Sequence, residues 1–430
     1  MITPAALPQA VLAHFAGPDS PGLTAELTAV LAEHDVNILD IGQAVVHESL
    51  SLGILLEVEP QNYAALSGCL EERARHLGLV VRLKPIPAAS LTHWMQGLNQ
   101  HHFLVTVLGR AITAQQLARV SAIIAAHEMN VDRIERLSGR LTPCDGQANA
   151  CIELAVSGDP GRELSMRADF LAAAQQLSID IACQRESIFR RNRRLFAFDM
   201  DSTLIQGEVI DELAKMAGVG ERVAKITEAA MRGELNFDES FTRRVALLKG
   251  LPAERINGLL EAIPLADGAE RLIKTLKLLG YKTAILSGGF TFFAQHLQRR
   301  LGIDSFHANE LEISGGLVTG RVIPPIVNGA LKAEMLAKIA AREGISLEQV
   351  VAVGDGANDI PMLNLAGMGI AYRAKPKVRK EADQSISNLG LDGLLYLIGV
   401  RDRDIELHEA ALATAAASAA QSEPHGSVSS

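Results

Sequence analysis

The stretch Leu195–Thr203, LFAFDMDST, decides how this chain is read. Four apolar residues suited to a buried strand run straight into two carboxylates, Asp199 and Asp201. The same event recurs twice downstream. The run TAIL (Thr283–Leu286) leads into Ser287-Gly288-Gly289-Phe290, and VVAV (Val350–Val353) leads into Gly354-Asp355-Gly356-Ala357-Asn358-Asp359. Short apolar runs alternating with helical segments predict an α/β fold with a parallel sheet and crossover helices. Ligands of such sheets sit at the carboxyl ends of the strands, so the three ends are predicted to converge on one site.

The alternation is interrupted once, from about Gly207 to Pro264. That segment is amphipathic and helical, with apolar positions at Ile210, Leu213, Met216 and Ala217, then Val223 and Ile226, then Val245, Leu247 and Leu248. An insertion directly after the first strand reads as a cap over the site.

Each strand end has a chemical reading and a plain one. A carboxylate such as Asp199 can attack a phosphoryl group, and a neighbour such as Asp201 can move the proton; two such residues can also simply make a turn or cap a helix. Asp355 and Asp359, four apart among glycines, suit a Mg²⁺ loop, though an Asx-rich turn before IPMLNLA has the same composition. Ser287 and the amides of Gly288 and Gly289 can bind phosphate, but glycines also merely turn the chain. Lys332, in GALKAEML, can neutralise phosphate or stand in solvent.

Upstream, residues 1–183 contain two copies of one pattern. Copy one has an apolar run at Val11–Phe15, a turn GPDSPGLT, and a helix marked by Leu23, Leu27, Val30 and Leu31. Strands IGQAVVHE and LSLGILLEVE follow, then a helix near Tyr63–Leu77 and a last strand LVVRLKP. Copy two runs through HHFLVTVLG, a helix with Leu117, Val120, Ile123 and Ile124, MNVDRIERLS, ANACIELAVSG, a helix near Arg162–Leu177, and IDIACQ. Both read βαββαβ, the ferredoxin-like order. SLTHWMQGLNQ, with Trp94, connects them; QRESIFRRNRR at 184–194 reads as a linker or solvated helix; and the Ala/Ser-rich end, 409–430, reads as a tail disordered beyond its first helical turns.

The 430 residues hold 41 Lys+Arg against 50 Asp+Glu, a net charge of −9, which argues against a nucleic-acid partner. Hydrophobic residues are 48% of the chain, enough for several cores. No apolar run reaches the ~20 residues of a membrane span, and MITPAALPQAVLAHFAG has no basic start or long apolar stretch of a secretion signal. Cys69, Cys144, Cys151 and Cys183 show no CxxC pairing and read as free thiols of a reducing, cytoplasmic setting.

The ordered set DMDST, helical insertion, SGG, Lys332 and GDGAND resembles the haloacid-dehalogenase-like phosphotransferase superfamily. Within it, DSTLIQGEVIDELAK and MRGELNFDESFTRRVALLKG resemble the phosphoserine phosphatases. The resemblance covers about 195–400. It implies a Rossmann-like core with a helical cap, Mg²⁺ as cofactor, and hydrolysis of O-phospho-L-serine through an aspartyl-phosphate, the last step of serine biosynthesis. By the same resemblance Asp199 is the nucleophile and Asp201 the general acid/base, whose carbonyl also ligates Mg²⁺. Asp355 is the second metal carboxylate and Asp359 supports it from behind. Ser287, Gly288 and Lys332 clamp phosphate, and Asn358 contacts the phosphate or substrate side. Glu208 and Arg244 read the serine ammonium and carboxylate, charges that such a pair would match. Arg243 is the competing neighbour, a choice that helical phase decides. Met231 and Phe237 wall the site.

The two βαββαβ copies are similar to ACT domains, small-molecule sensing modules. That similarity implies an amino-acid effector, serine or glycine, near Gly17, Asp19, Gly22 and Asn37 of copy one, and a homodimer. Copy two has LGRAITAQQ where copy one has its Pro-Gly turn, so its site is doubtful. The domain expectation is ACT domains at 8–88 and 102–183, a connector at 89–101, a linker at 184–194, the phosphatase at 195–404 with its cap at about 207–264, and a tail at 405–430. Two other readings stay open: a related phosphatase or phosphotransferase acting on another small phosphomonoester, or an ACT-based sensor with a weakly active phosphatase domain.

Overall fold

The computed structural model describes residues 8–97, 101–139 and 149–411. They form two compact units, one ending at residue 100 and the other beginning at residue 101. In the first, β1 (Gln9–Pro18), α1 (Leu23–Glu33), β2 (Asn37–Val46), β3 (Ser49–Val58), α2 (Tyr63–His76) and β4 (Val80–Ile86) make a ferredoxin-like fold, followed by α3 (Ala88–Gly97). Its sheet order is β2-β3-β1-β4, all antiparallel. Val11, Ala13 and Phe15 of β1 alternate inward against Leu23, Leu27, Leu66 and Leu70 of the helices, as a strand of period two requires. The intervening residues, Leu12, His14 and Ala16, are only half-buried.

The second unit opens with the same topology. β5 (His101–Gly109), α4 (Ala114–Ala126), β6 (Asn130–Arg136), β7 (Ala150–Gly158), α5 (Glu163–Leu177) and β8 (Asp180–Arg185) give the sheet order β6-β7-β5-β8. Thr113 and Gln116 close a capping box at the start of α4, where copy one uses Gly22 in a left-handed turn. This second sheet is covered on both faces. Phe103, Val105 and Val107 pack on α4 and α5, while Leu108, Leu137, Cys151 and Ala182 join the core of the α/β fold that follows.

That α/β fold is built on β9 (Leu195–Phe198). The cap helices α6 (Val209–Met216), α7 (Gly220–Met231), α8 (Phe237–Ala246) and α9 (Ala253–Leu260) come next. The chain then returns through α10 (Ala269–Leu278), β10 (Lys282–Phe290), α11 (Thr291–Leu301), β11 (Ser305–Ser314), β12 (Leu317–Ile323), α12 (Gly329–Arg342) and β13 (Val350–Gly354). It closes with α13 (Ile360–Leu365), β14 (Met368–Tyr372), α14 (Pro376–Glu381), β15 (Gln384–Ile386), α15 (Leu394–Leu397) and a helix α16 at 402–411. The seven-stranded sheet runs β12-β11-β10-β9-β13-β14-β15. β9 lies at its centre, parallel to β10 and β13, which is why LFAF is fully buried and why its end meets theirs. A short bridge, Ile205 to Leu265, ties the two strands of chain that lead into and out of the cap.

At the expected boundaries the structure adds three details. The connector carries α3. The basic stretch at 184–194 is solvated only in part: Arg190 and Arg193 are buried, and Arg190 pairs with buried Glu153 while donating to the carbonyl of Leu397. A buried guanidinium needs such partners, and the junction between the two folds supplies them. The chain past 405 remains helical to residue 411, with Lys274 paired to Glu409 at 2.9 Å; the rest of the expected tail lies outside the described residues. Among the described residues no helix is long and apolar enough to cross a membrane. Cys69, Cys151 and Cys183 are free, and Cys144 lies outside the described residues.

Candidate functional site

The three strand ends do converge. Asp199 follows β9, its amide donating to the carbonyl of Val353 on β13. The chain then kinks: Ser202 adopts φ 56, a left-handed conformation that non-glycine residues occupy at a cost of order 1–3 kcal/mol, and such residues gather at functional sites. The kink aims Asp201 back, where its carboxylate accepts from the amide of Val209 at the start of α6 at 2.8 Å. One oxygen of each of Asp199, Asp355 and Asp359 lies within 4.8 Å of the others.

Lys332 is fully buried and holds this cluster together. Its Nζ donates to Asp199 at 2.7 Å and to Asp359 at 2.6 Å. Asp359 also accepts from the amide of Gly356 at 3.0 Å, so both its oxygens are engaged inside the protein. Burial lowers the proton affinity of Lys332, but the two carboxylates outweigh that and keep it charged. Burial, and then the nearby Asp359 charge, push the Asp199 carboxyl up to about 7 despite Lys332. Burial, Asp199, Asp359 and Glu208 push Asp355 up to about 8. Asp201 is raised well above the usual carboxylate range by burial, Glu208 and Asp199.

On the β10 side the strand runs on through the glycines instead of ending at Ser287, with a break in register between Leu286 and Phe290. Space dictates the glycines. A Cβ at Gly289 would lie 2.4 Å from an Asp201 carboxylate oxygen, and one at Gly288 would lie 2.9 Å from the Phe237 ring. Ser287 is buried and accepts from the amide of Gly289 at 2.8 Å. Asn358 is half-buried in the loop before α13.

The cap closes over this cluster. Phe237 stacks on Phe241 at 5.8 Å, and Phe241 meets Phe290 of β10 at 5.8 Å, an aromatic seam between cap and core. Glu208 stands at the N-cap position of α6, where its side chain makes no capping bond and accepts instead from Ser202 at 3.4 Å. On α8, Arg243 is exposed while Arg244 turns inward. The Arg244 Nε is buried with no hydrogen-bond partner among the described residues. Burial lowers the Arg244 proton affinity, and Glu208, Asp211 and Asp201 oppose that loss. Met231 ends α7, but its side chain lies outside the described residues.

Several contributors were invisible at the sequence level. Lys375, before α14, acts electrostatically on both Glu208 and Asp355. Asn309 is buried, donates to the Gly288 carbonyl and accepts from the Val327 amide, both at 2.8 Å. Asn328 caps α12, the helix of Lys332, and donates to Asp238 of the cap at 3.1 and 3.2 Å. Only Asn328 had a readable signal, an N-cap residue type just before a helix.

In copy one, Gly17, Asp19 and Gly22 sit together at the turn between β1 and α1; Gly22 takes φ 95 and the Asp19 amide donates to Glu48. Asn37 does not join them. It opens β2 opposite Glu57, whereas Pro18 faces Ser49, so the two places are roughly 27 Å apart along β3 at ~3.4 Å per residue. A βαββαβ fold puts the start of its first strand and the start of its second at the same end of the sheet. Asn37 donates instead to Glu57 at 3.2 Å.

The donor set suits a hard divalent cation. Asp199, Asp201, Asp355, Asp359 and Glu208 meet only Lys332, Arg244 and Lys375 as counter-charges named in this site, and every candidate ligand atom is oxygen. Fold and site together define a hydrolase of the phosphoric monoester class. Residues 193–367 match the haloacid dehalogenase-like hydrolase family, and residues 9–84 and 101–184 each match an ACT domain. The chain is 41% identical to phosphoserine phosphatase SerB2 of Mycobacterium tuberculosis over 93% of this chain and 95% of that one. It is 40% identical to the phosphoserine phosphatase of Streptomyces coelicolor over 92% and 93%. Among solved structures, a HAD family hydrolase of Salmonella enterica serovar Typhi superposes with TM-score 0.59 at 30% identity, covering 69% of this chain and 99% of that one. The unliganded probable phosphoserine phosphatase of Vibrio cholerae gives TM-score 0.55 at 34% identity, covering 69% and 86%. The chain therefore belongs to the phosphoserine phosphatase family of haloacid dehalogenase-like hydrolases, with two ACT domains in front.

Proposed function

We propose that this protein hydrolyses O-phospho-L-serine to serine and phosphate through an aspartyl-phosphate on Asp199. The observation that carries the substrate is Arg244, whose buried Nε lacks a partner among the described residues while Glu208 acts on it from the start of α6. A buried unpaired donor is costly, so the site is shaped for an acceptor that arrives with the substrate. A carboxylate on Arg244 and an ammonium on Glu208 together specify an amino-acid head group.

Asp199 and Asp355, with the Asp201 carbonyl, would hold Mg²⁺, which when bound draws charge from the phosphate oxygens. Asp199, held by Lys332, attacks phosphorus and forms the acyl-phosphate bond as the bond to the serine oxygen breaks. Asp201, whose raised proton affinity favours the acid form, gives its proton to the departing alkoxide. It then takes a proton from water, whose oxygen attacks the acyl-phosphate and frees Asp199 and phosphate. Ser287 and Lys332 orient the phosphoryl group, with Gly288 leaving it room and Asn358 at the rim. Phe237 and the cap exclude bulk water during the first transfer. An amino acid such as serine or glycine, acting at the ACT domains, would modulate the rate.

Phosphate release from L-phosphoserine, phosphothreonine and p-nitrophenyl phosphate, each with Mg²⁺, tests the reading. Release that favours phosphoserine, and loss of that preference in Arg244→Ala, is the expected result. Hydrolysis of p-nitrophenyl phosphate with none of phosphoserine keeps the aspartate chemistry and discards the substrate.

A further inference from the structure

Away from the strand ends, a cleft of about 560 Å³ lies where α5 of the second ferredoxin-like fold faces the segment from α14 to β15 of the catalytic fold. That volume falls within the range typical of small-molecule sites, ~300–1,000 Å³. Its two walls differ in chemistry. On α5, Leu164, Ala168 and Leu171 recur at helical spacing on a face that its own sheet does not use, and Leu164 is 78% exposed. Opposite stand Arg379 and Lys380, with Glu381 after them at the end of α14. Gln384 joins the folds at the cleft, donating to the Cys183 carbonyl at 2.8 Å and accepting from the Cys183 amide at 2.9 Å.

The basic groups are not equally engaged. Arg167 is consumed by the structure, donating to the carbonyls of Ala382 and Asp383 at the end of α14. Asp383 turns away, accepting from the Gly369 amide at 2.9 Å. The Arg379 Nε is buried and has no hydrogen-bond partner among the described residues. Arg379 lines the cleft with no protein acceptor on its guanidinium among the described residues, so the cleft offers a cation whose hydrogen-bonding capacity is unused.

We propose that this cleft binds a small organic carboxylate with an apolar body, its carboxylate on Arg379 and Lys380 and its apolar part against Leu164 and Leu171. The site is separate from the β1–α1 turn of the first ferredoxin-like fold and does not depend on the substrate assigned above. It stands at the far end of α14 from Lys375, the residue that acts on Glu208 and Asp355.

Calorimetric titration of the full chain with 3-phenylpropionate, beside its neutral amide, tests the proposal without reference to turnover. Saturable binding of the acid, at least about tenfold tighter than the amide, is expected, the margin of one charge-assisted hydrogen bond. Arg379→Gln should erase the preference for the acid, and Leu164→Ser should weaken acid and amide alike; phosphoserine turnover in both variants reports that the fold is intact. No saturable binding up to the solubility of the acid, or the same preference in Arg379→Gln, overturns the assignment.

Discussion

The two ferredoxin-like folds share a topology and differ in what covers them. In the first, β1 alternates, with Val11, Ala13 and Phe15 inward and Leu12, His14 and Ala16 half-buried. Strand β2 is exposed throughout, with Val46 at 76%. In the second, Phe103 to Leu108 of β5 are buried without a break, and so are Asp180 to Gln184 of β8. The second sheet has a fold on each side, and its outer face carries the polar groups that a junction needs. Glu153 there meets Arg190, and Asp180 accepts from the amides of Ser387, Asn388 and Leu389. One topology thus forms a compact unit by itself in the first copy and a structural part of the catalytic unit in the second.

This division makes the catalytic function a property of the second unit, and its largest test is chemical. Asp199→Asn should abolish phosphate release from phosphoserine, because an amide does not form the acyl-phosphate; retained turnover would remove Asp199 as nucleophile. EDTA should do the same to the wild type, with activity restored by excess Mg²⁺.

The next test is energetic. Arg190→Met leaves Glu153 buried and unpaired, which should cost about 3–5 kcal/mol in denaturant unfolding of the second unit. The matched change in the first fold, Arg73→Met, breaks an exposed pair with Glu26 and should cost no more than about 1 kcal/mol. Similar costs for the two would erase the distinction. A milder version is Gln384→Ala, which removes both hydrogen bonds to Cys183 and should cost about 1–3 kcal/mol.

Smaller still is the link between cap and core. Asp238→Ala frees Asn328 on the cap side while leaving it as the cap of α12, so KM for phosphoserine should rise about fivefold, the worth of one ~1 kcal/mol hydrogen bond, with kcat little changed. A fall in kcat instead would mean that Asp238 acts through Lys332. The smallest effect belongs to deletion of residues 1–100. Basal turnover should persist in the remainder, while any response to serine or glycine housed in the first fold disappears. Removing residues 1–183 is a different experiment, since it uncovers the face on which Leu108, Cys151 and Ala182 pack.

Much of this was legible from residue order. LFAF, TAIL and VVAV read as buried parallel strands, and the carboxylates after them fell where such strands end. Helical phase at Arg243 and Arg244 was readable only through a likeness, and the fold turns Arg244 inward. Asn309, Lys375 and Asp238 carried no local signal, because each matters through a neighbour more than twenty residues away in the chain.

The sequence by itself determined the element types, the order of the two repeats and the set of chemical groups available, since these follow from local periodicity and from residues adjacent along the backbone. Only the tertiary structure decided that Arg190 and Arg193 of QRESIFRRNRR are buried and that Arg190 is paired with Glu153, that Asn37 stands apart from Gly17 to Gly22, and that the second ferredoxin-like fold is fused to the catalytic one. Those outcomes depend on which face of one element meets another. An arginine has the same composition in solvent and beside Glu153, and only the arrival of a distant partner distinguishes the two.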